Sequence, residues 1–190
     1  MDEVQKIRDK IVDAALRLAA VHDWDDIGFI DISGEAEMPL EDLYQYFDDK
    51  AGILAAFGSR LDDQVCRAIG SIRETETCRD RLFDALMERY EGLNAHRAAV
   101  LSIFKAFECD PKQVILGLPH IGRSMQRMLD CAGVDSGGIR GALKLTGLMA
   151  LYLRGVYLLM QDDSPDMVKV MAALDRDLHR AETIMNFTAL

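Results

Sequence analysis

The sequence contains few of the residues that interrupt regular structure. Only four prolines and 14 glycines are scattered through 190 residues, which is too few for a linker or a low-complexity tract. No stretch is repeated elsewhere in the chain, which excludes a repeat array. We therefore expect an ordered chain that forms one unit of roughly 150 residues with a smaller unit appended.

The four cysteines lack the spacing of a zinc site or a redox motif. Cys66, Cys78, Cys109 and Cys131 lie 12 to 31 residues apart, without a CxxC pair,. No signal peptide precedes them. We expect reduced, buried cysteines in a cytoplasmic protein.

Catalytic motifs are missing as well. The sequence has no GxSxG and no HExxH, and the GGIRG segment at residues 137–141 is not followed by the Lys-Ser/Thr of a P-loop,. The acidic pairs at 48–49 and 162–163 are adjacent, so their side chains point apart on a helix. We expect no catalytic residues and no cofactor. We also expect no metal site, because the histidines are dispersed along the chain at His22, His96, His120 and His179,.

Positive charge is scarce at one end of the chain. Residues 1–50 carry 14 acids against five bases, a net charge of −9, whereas residues 51–190 carry 18 acids against 17 bases. Nearly the whole net charge of −10 therefore lies in the first 50 residues. Affinity for duplex DNA comes largely from neutralising phosphates with Lys and Arg, so the field of this segment opposes nucleic acid.

Apolar residues recur with a helical period, and no run alternates with period two for long enough to form a strand, so the fold class is all-α. The segment Ser164-Pro165-Asp166 favours a helix start, with serine as a cap and proline at the first helical position. Proline at residue 39 is likewise expected at the first position of its helix. The predicted helices span about residues 4–21, 31–36, 39–46, 51–69, 79–95, 97–109, 111–131, 137–161 and 165–186.

The stretch Gly141 to Met160 is long enough to span a bilayer. Lys144 and Arg154 interrupt it, and each would be costly in hydrocarbon. We expect a buried core helix and no membrane span.

A long first helix, the segment WDDIGFIDIS, a short helix, a turn and LYQYF-DDK follow one another over about residues 4–60. This order resembles that of the TetR/AcrR transcription regulators. In that family a helix-turn-helix reads the DNA major groove, and a larger helical domain binds a small molecule and dimerises. The resemblance implies a head at residues 1–50, a connecting helix at 51–72 and a ligand-binding and dimerisation domain at 73–190.

The resemblance also implies which residues would meet operator DNA. Leu40, Glu41, Tyr44 and Gln45 would lie near the bases, while Tyr46 and Lys50 would hold phosphates.

The sequence departs from the family in the turn before this helix. Glu37 stands where the family usually has glycine, which costs roughly 1 kcal/mol if the left-handed geometry is kept. The exposed face of the third helix carries acids instead of small polar or basic residues. Either a few well-placed groups bind operator DNA despite the negative charge of residues 1–50, or the fold has been kept while DNA binding was lost.

Eight of the ten methionines lie beyond residue 80, among tyrosines and phenylalanines. Thioethers and aromatic rings suit an adaptable apolar pocket, although each methionine taken alone is better explained as core filling. With the pocket that the resemblance implies, we expect an apolar small molecule or lipid as the ligand. The candidate pocket residues are Met87, Tyr90, Phe104, Phe107, His120, Met125, Met149 and Tyr152.

Two functions remain open at this point. The first is a cytoplasmic TetR-like regulator that senses this ligand and forms a homodimer through residues 137–161 and 165–186, which carry more apolar surface than one neighbour covers. The second follows from the segment MQDDSPD, residues 160–166, which resembles lipid-binding proteins of coenzyme Q biosynthesis that share this fold. The alternative is therefore a lipid carrier or accessory protein that does not bind DNA and is linked to ubiquinone biosynthesis.

Overall fold

A computed structural model describes the backbone of residues 3–70, 76–109, 111–162, 164 and 166–187, and side chains throughout these ranges except at 109, 111–116 and 184–187. The described residues form nine α-helices and one 3-10 turn, with no strand among them. The prediction of an all-α fold is confirmed.

The helices lie close to the segments that the apolar period predicts. The 3-10 turn, Trp24–Asp26, lies between the first two helices. The helices are α1 Glu3–Ala19, α2 Phe29–Glu35, α3 Leu40–Tyr44, α4 Lys50–Ile69, α5 Cys78–Asn94, α6 Arg97–Cys109, α7 Pro111–Cys131, α8 Gly138–Gln161 and α9 Val168–Phe187.

Two predicted helix starts are wrong. Pro39 precedes α3 with an extended ψ of 142°, so it is the residue before the helix and not its first member. The last helix begins at Val168, later than the predicted start at Pro165, which lies outside the described residues. Asp162, and not Ser164, supplies the oxygen at this start: its carboxylate accepts hydrogen bonds from the backbone N–H of Lys169 and from Ser164.

The chain forms two compact units. The first comprises Met1–Arg60 and Leu93–His120, and the second Leu61–Gly92 and Ile121–Leu190. Residues 93–120 belong to the first unit because α6 packs against α1 and against the 3-10 turn. The functional division at residues 50 and 72 follows different boundaries and stays a prediction.

The first unit is built on the apolar side of α1. Ile11, Val12, Ala15 and Leu16 are buried there, and α2 and α6 both pack against this helix. Ser102 of α6 fixes the chain that leaves α1, because its hydroxyl donates to the carbonyl of His22 and accepts from the N–H of Trp24, at 2.9 and 2.8 Å.

A disulfide joins two helix ends in the second unit. Cys66 in the last turn of α4 and Cys131 at the end of α7 are bonded, with their Cα atoms 5.7 Å apart. Cys78 is free and exposed. The prediction of reduced cysteines is therefore wrong for Cys66 and Cys131, and the prediction of buried cysteines is wrong for all three. Spacing along the chain could not show the bond, because its partners are 65 residues apart with two other cysteines between them.

Reducing this bond is expected to lower the free energy of unfolding by about 2–4 kcal/mol, because the unfolded chain gains the freedom of a long loop. Urea unfolding followed by circular dichroism, with and without reductant, measures the difference. The double variant Cys66→Ser/Cys131→Ser should match the reduced protein, and Cys78→Ser should unfold like the wild type. Equal stability of the oxidised and reduced protein would contradict this prediction.

Candidate functional site

Two short helices, α2 and α3, pack against each other in the first unit. Ile32, Ala36, Leu43 and Phe47 are all buried. The rings of Phe29 and Tyr44 also meet across the pair, with centroids 5.0 Å apart. The apolar contacts therefore fix the angle between the two helices, and the outer side of α3 is left to solvent.

The turn between them keeps the left-handed geometry despite its glutamate. Glu37 has φ of 48°, a conformation that favours glycine. Its N–H donates to the carbonyl of Gly34, and the N–H of Met38 donates to that of Ser33, at 3.1 and 3.0 Å. These two bonds form the Schellman motif that closes a helix. The turn is thus held by backbone hydrogen bonds against the preference of its side chain.

The residues predicted to read bases share the outer side of α3. Glu41, Tyr44 and Gln45 are exposed, and Leu40 is half-buried. The side chain of Tyr44 is 54% exposed. The amide of Gln45 donates to the carboxylate of Asp42 at 3.3 Å. Contact of these residues with DNA stays a prediction.

Lys50 is engaged within the head itself. Its ammonium donates to the carbonyls of Trp24 and Ile27, at 2.6 and 2.8 Å, and lies 4.8 Å from the centre of the Trp24 ring. Burial lowers the pKa of Lys50, and the carboxylates of Asp25 and Asp26 partly offset this shift. Two of its three N–H groups are therefore used to hold the 3-10 turn, and its phosphate contact stays a prediction.

Tyr46, the other predicted phosphate contact, is half-buried. Its carbonyl accepts a hydrogen bond from the guanidinium of Arg8 at 2.9 Å, and the same group lies 4.3 Å from the centre of the Phe47 ring. Arg8 thus ties α1 to the segment that follows α3.

The remaining basic residues of the head are also largely occupied. Lys6 pairs with Glu3 at 3.2 Å, and Arg17 pairs with Glu35 at 2.5 Å. With Arg8 and Lys50, four of the five bases in residues 1–50 make contacts inside the head. The charge available to neutralise phosphates is therefore smaller than the count of bases indicates.

The eight predicted pocket residues are divided between the two units. Met87, Tyr90, Met125, Met149 and Tyr152 belong to the second unit, and Phe104, Phe107 and His120 to the first. Met87, Tyr90, Met125 and Tyr152 are buried, whereas His120 is exposed. A single pocket lined by all eight stays a prediction.

Tyr90 and Tyr152 stack inside the second unit, with ring centroids 5.9 Å apart and planes 6° from parallel. The Tyr90 hydroxyl donates to the carbonyl of Tyr152 at 3.2 Å, and burial raises the pKa of Tyr90 far above its usual value. Gly155 makes this approach possible, because a Cβ at this position would lie 2.0 Å from the hydroxyl oxygen.

A buried ion pair lies beside this stack and was missed by sequence reasoning. Arg89 pairs with Asp62, and each side chain is only 5% exposed. The carboxylate also accepts from the Ser124 hydroxyl at 2.5 Å, and the guanidinium lies 5.2 Å from the centre of the Tyr152 ring. The available signal was a charge within the apolar stripe of α5, where Leu86 and Tyr90 are also buried.

The two last helices expose an apolar face. By length and composition helix α8 could cross a membrane, but one such helix is weak evidence for a membrane span. Only 22% of its most apolar window is buried. The prediction of a buried core helix is therefore wrong. Helices α8 and α9 pack on each other, and their exposed large apolar residues are Ile139, Leu143, Leu153, Tyr157, Val168 and Met171.

A cleft of about 330 Å³ in the first unit was also not predicted. It lies between α1 and the start of α6, and Asp13, Arg17, His96 and Arg97 supply its charged and polar lining. Arg60 pairs with Asp13 at 2.6 Å. Burial, with a further contribution from Arg60, lowers the pKa of His96.

Comparison with known proteins identifies the fold of the chain. The chain matches no protein-family model and no curated protein to a significant degree. A TetR transcriptional regulator from Nitrosomonas europaea is 23% identical, with a TM-score of 0.73 over 93% of this chain and 98% of that chain. A TetR regulator from Rhodococcus sp. RHA1 is 22% identical, with a TM-score of 0.57 over 93% and 97%.

A third similar structure is a TetR-family regulator from Streptomyces coelicolor. It is 14% identical, with a TM-score of 0.58 over 96% of this chain and 84% of that chain. At these identities the likeness shows the fold, so the chain has the helical fold of the TetR regulators, as the resemblance in its sequence predicted.

Replacing Glu37 by glycine should raise the free energy of unfolding by about 1 kcal/mol, because glycine adopts a positive φ without strain. The matched control is Glu41→Gly, which removes a similar exposed acid from a helical position and should lower stability by about 0.5–1 kcal/mol. Chemical unfolding of both variants measures the two shifts. A loss of stability in Glu37→Gly would show that the glutamate side chain contributes more than the strain costs.

Gly155→Ala should lower the free energy of unfolding by about 1–3 kcal/mol, because the new methyl group overlaps the Tyr90 hydroxyl. Gly34→Ala is the control, since a Cβ at this helical position meets nothing within 4 Å and alanine is favoured there. Thermal and urea unfolding compare the two. Tolerance of alanine at residue 155 would mean that α8 moves away from Tyr90 at little cost.

Proposed function

We propose that the chain is a homodimeric, cytoplasmic transcriptional regulator of the TetR type, in which an apolar small molecule or lipid controls DNA binding. The geometry of α2, the turn and α3 carries the proposal: the inner sides of both helices are buried while Glu41, Tyr44 and Gln45 remain exposed. The fold, which is shared with regulators from three bacteria, supports it.

The outer side of α3 offers groups that suit base edges. Glutamine pairs with adenine through its amide, and glutamate accepts from the amino group of cytosine. Gln45 and Glu41 supply these groups, and the ring of Tyr44 is exposed as well. For Gln45 to reach a base, its hydrogen bond to Asp42 must break, so DNA competes with a contact inside the head.

The head is expected to bind DNA weakly. Its net charge is −9, and four of its five bases make internal contacts. Few counterions are released when few phosphates are neutralised, so the salt dependence should be shallow.

The exposed face of α8 and α9 supports the dimer. Ile139 is 92% exposed and Leu143 is 58% exposed. Large contiguous apolar patches on soluble chains usually mark an interface. In a dimer the two heads would have to match one helical turn of DNA, about 34 to 36 Å. A ligand that favours one of two arrangements of α4 would change this match.

The region of Met87, Met125 and Tyr152 supports the ligand class only in part. Its buried methionines and aromatic rings suit an apolar molecule, but the ion pair of Arg89 with Asp62 lies in the same unit. A ligand with an apolar body and one polar group fits both features. The alternative, a lipid carrier, would bind the same class of ligand. The measurement of DNA binding distinguishes it from the regulator.

The DNA prediction is weak binding that increases strongly when the head loses its acids. Fluorescence anisotropy against mixed genomic fragments at about 0.05 and 0.2 M salt covers a range in which ordinary DNA binders lose several decades of affinity. The variant with Glu41, Asp42, Asp48 and Asp49 changed to lysine should bind non-specifically and much more tightly. The control carries the same charge change at exposed acids of the second unit, Asp84, Glu91, Asp166 and Glu182.

Sub-micromolar, sequence-selective binding by the wild type at the higher salt would show that the internal contacts of its bases do not limit the head. No binding by the wild type at the lower salt would instead favour the lipid carrier. Lys50→Ala is a poor test of phosphate contact, because it also removes the two hydrogen bonds to Trp24 and Ile27.

The dimer prediction is a mass of about twice the 21.2 kDa chain in size-exclusion chromatography with light scattering,. Leu143→Glu with Tyr157→Glu should give a monomer, because two charges would enter the apolar face. Val21→Glu is the control, since Val21 is a 74% exposed apolar residue of the first unit. A wild-type monomer at micromolar concentration would contradict the two-headed arrangement.

A further inference from the structure

Three links join the end of α4 to the end of α7 within the second unit. Their positions advance together along both helices, so they form one row. The links are a hydrogen bond from Ser124 to Asp62 at 2.5 Å, an ion pair of Arg127 with Asp63, and the disulfide of Cys66 with Cys131. The disulfide is the last link, and the helices end at Ile69 and Cys131.

The contact between these helix ends has support besides the covalent bond. Val65, Met128 and Leu129 are at most 1% exposed. Burial of these apolar side chains stabilises the ends of both helices within the unit without a cross-link. Together with the two polar links, it allows the chain to stay folded after reduction, as a reversible bond requires.

The two sides of the disulfide are held differently. Arg81, which is 1% exposed, donates to the carbonyls of Cys131 and Ala132, at 2.8 and 3.3 Å, so the end of α7 is anchored apart from the disulfide. Cys66 lies in the last turn of α4, and Gly70 after it has φ of 65°. The end of α4 is therefore the side that gains freedom when the bond opens.

Both cysteines are only half-buried, so a small thiol can reach the bond. We propose that Cys66 and Cys131 form a reversible thiol–disulfide site that fixes the last turn of α4 in the oxidised protein and releases it in the reduced one. One step rests on the proposed function: a DNA-binding regulator works in the cytoplasm, where low-molecular-weight thiols reduce accessible disulfides.

The exchange needs only a thiol and its disulfide. A thiolate attacks one sulfur of the pair, the S–S bond breaks, and the other sulfur leaves as a thiolate that takes a proton. A second thiolate then attacks the mixed disulfide and releases the small disulfide. Two electrons and two protons end on Cys66 and Cys131, and the reverse steps with the small disulfide as oxidant restore the bond.

The site would act on a helix that belongs to both units, since α4 begins in the first and ends in the second. The disulfide holds the second-unit end of this helix to α7 in the oxidised protein. In the reduced protein the two polar links to α7 remain.

The first test is equilibration of the folded protein in mixtures of reduced and oxidised glutathione, followed by rapid alkylation and mass spectrometry. Cys66 and Cys131 should gain and lose alkylation together while circular dichroism shows an unchanged helix content. A bond that stays closed in a large excess of reduced glutathione without denaturant would overturn the proposal, because it would be a permanent structural link. Failure of the bond to form in oxidised glutathione would overturn it equally.

The second test is hydrogen exchange of the two redox states. Amides in the last turn of α4 should exchange at least about tenfold faster after reduction, as expected for local opening, while those at the end of α7 should change less because Arg81 holds them. Cys66→Ser/Cys131→Ser should show the fast exchange in both buffers, and Cys78→Ser should respond like the wild type. Equal exchange in both states would refute the release of α4.

Neither measurement involves DNA. A chain that passes both tests but binds no DNA would therefore overturn the proposed function and leave the redox site standing. A chain that binds DNA but keeps a permanent bond would give the opposite result.

Discussion

The head depends on one half-buried cation. Lys50 begins α4, and its ammonium hydrogen-bonds to the carbonyls of Trp24 and Ile27 on either side of the 3-10 turn. These carbonyls lie in the connection between α1 and α2, so the start of α4 fixes the entry to the helix pair. A lysine whose ammonium donates to backbone carbonyls is less free to pair with anions outside the head. Burial lowers the pKa of Lys50, and the carboxylates of Asp25 and Asp26 offset part of this shift.

In the second unit, arginines play the corresponding role. Arg81 satisfies the carbonyls at the end of α7, and Arg89 meets Asp62 of α4. Both are almost fully buried, where an unpaired charge would be costly. Cations thus connect segments that are distant in the sequence in both units.

Helix positions were largely predictable because the apolar period in α1, α4 and α7 directly reflects which side is buried. The buried positions of Ile32 and Leu43 agree with the same apolar period. Contacts between distant residues did not follow, since nothing local in the sequence joins Cys66 to Cys131 or Arg89 to Asp62. The predicted start of α9 was wrong. The proline-containing segment favours a helix start at Pro165, but the helix begins three residues later, where the Asp162 carboxylate accepts a hydrogen bond from the N–H of Lys169.

The close approach of Gly155 to Tyr90 has a geometric consequence for α8. Only a glycine admits the hydroxyl at this point, so rotation of α8 by one residue would press a valine or an arginine side chain against the ring. The rotational phase of the helix is therefore set from inside the unit. Because side chains recur every 3.6 residues, the same constraint decides the direction in which Leu143, Leu153 and Tyr157 point. A single missing methyl group inside the fold thereby orients the exposed apolar face of α8, which is the face proposed for the dimer.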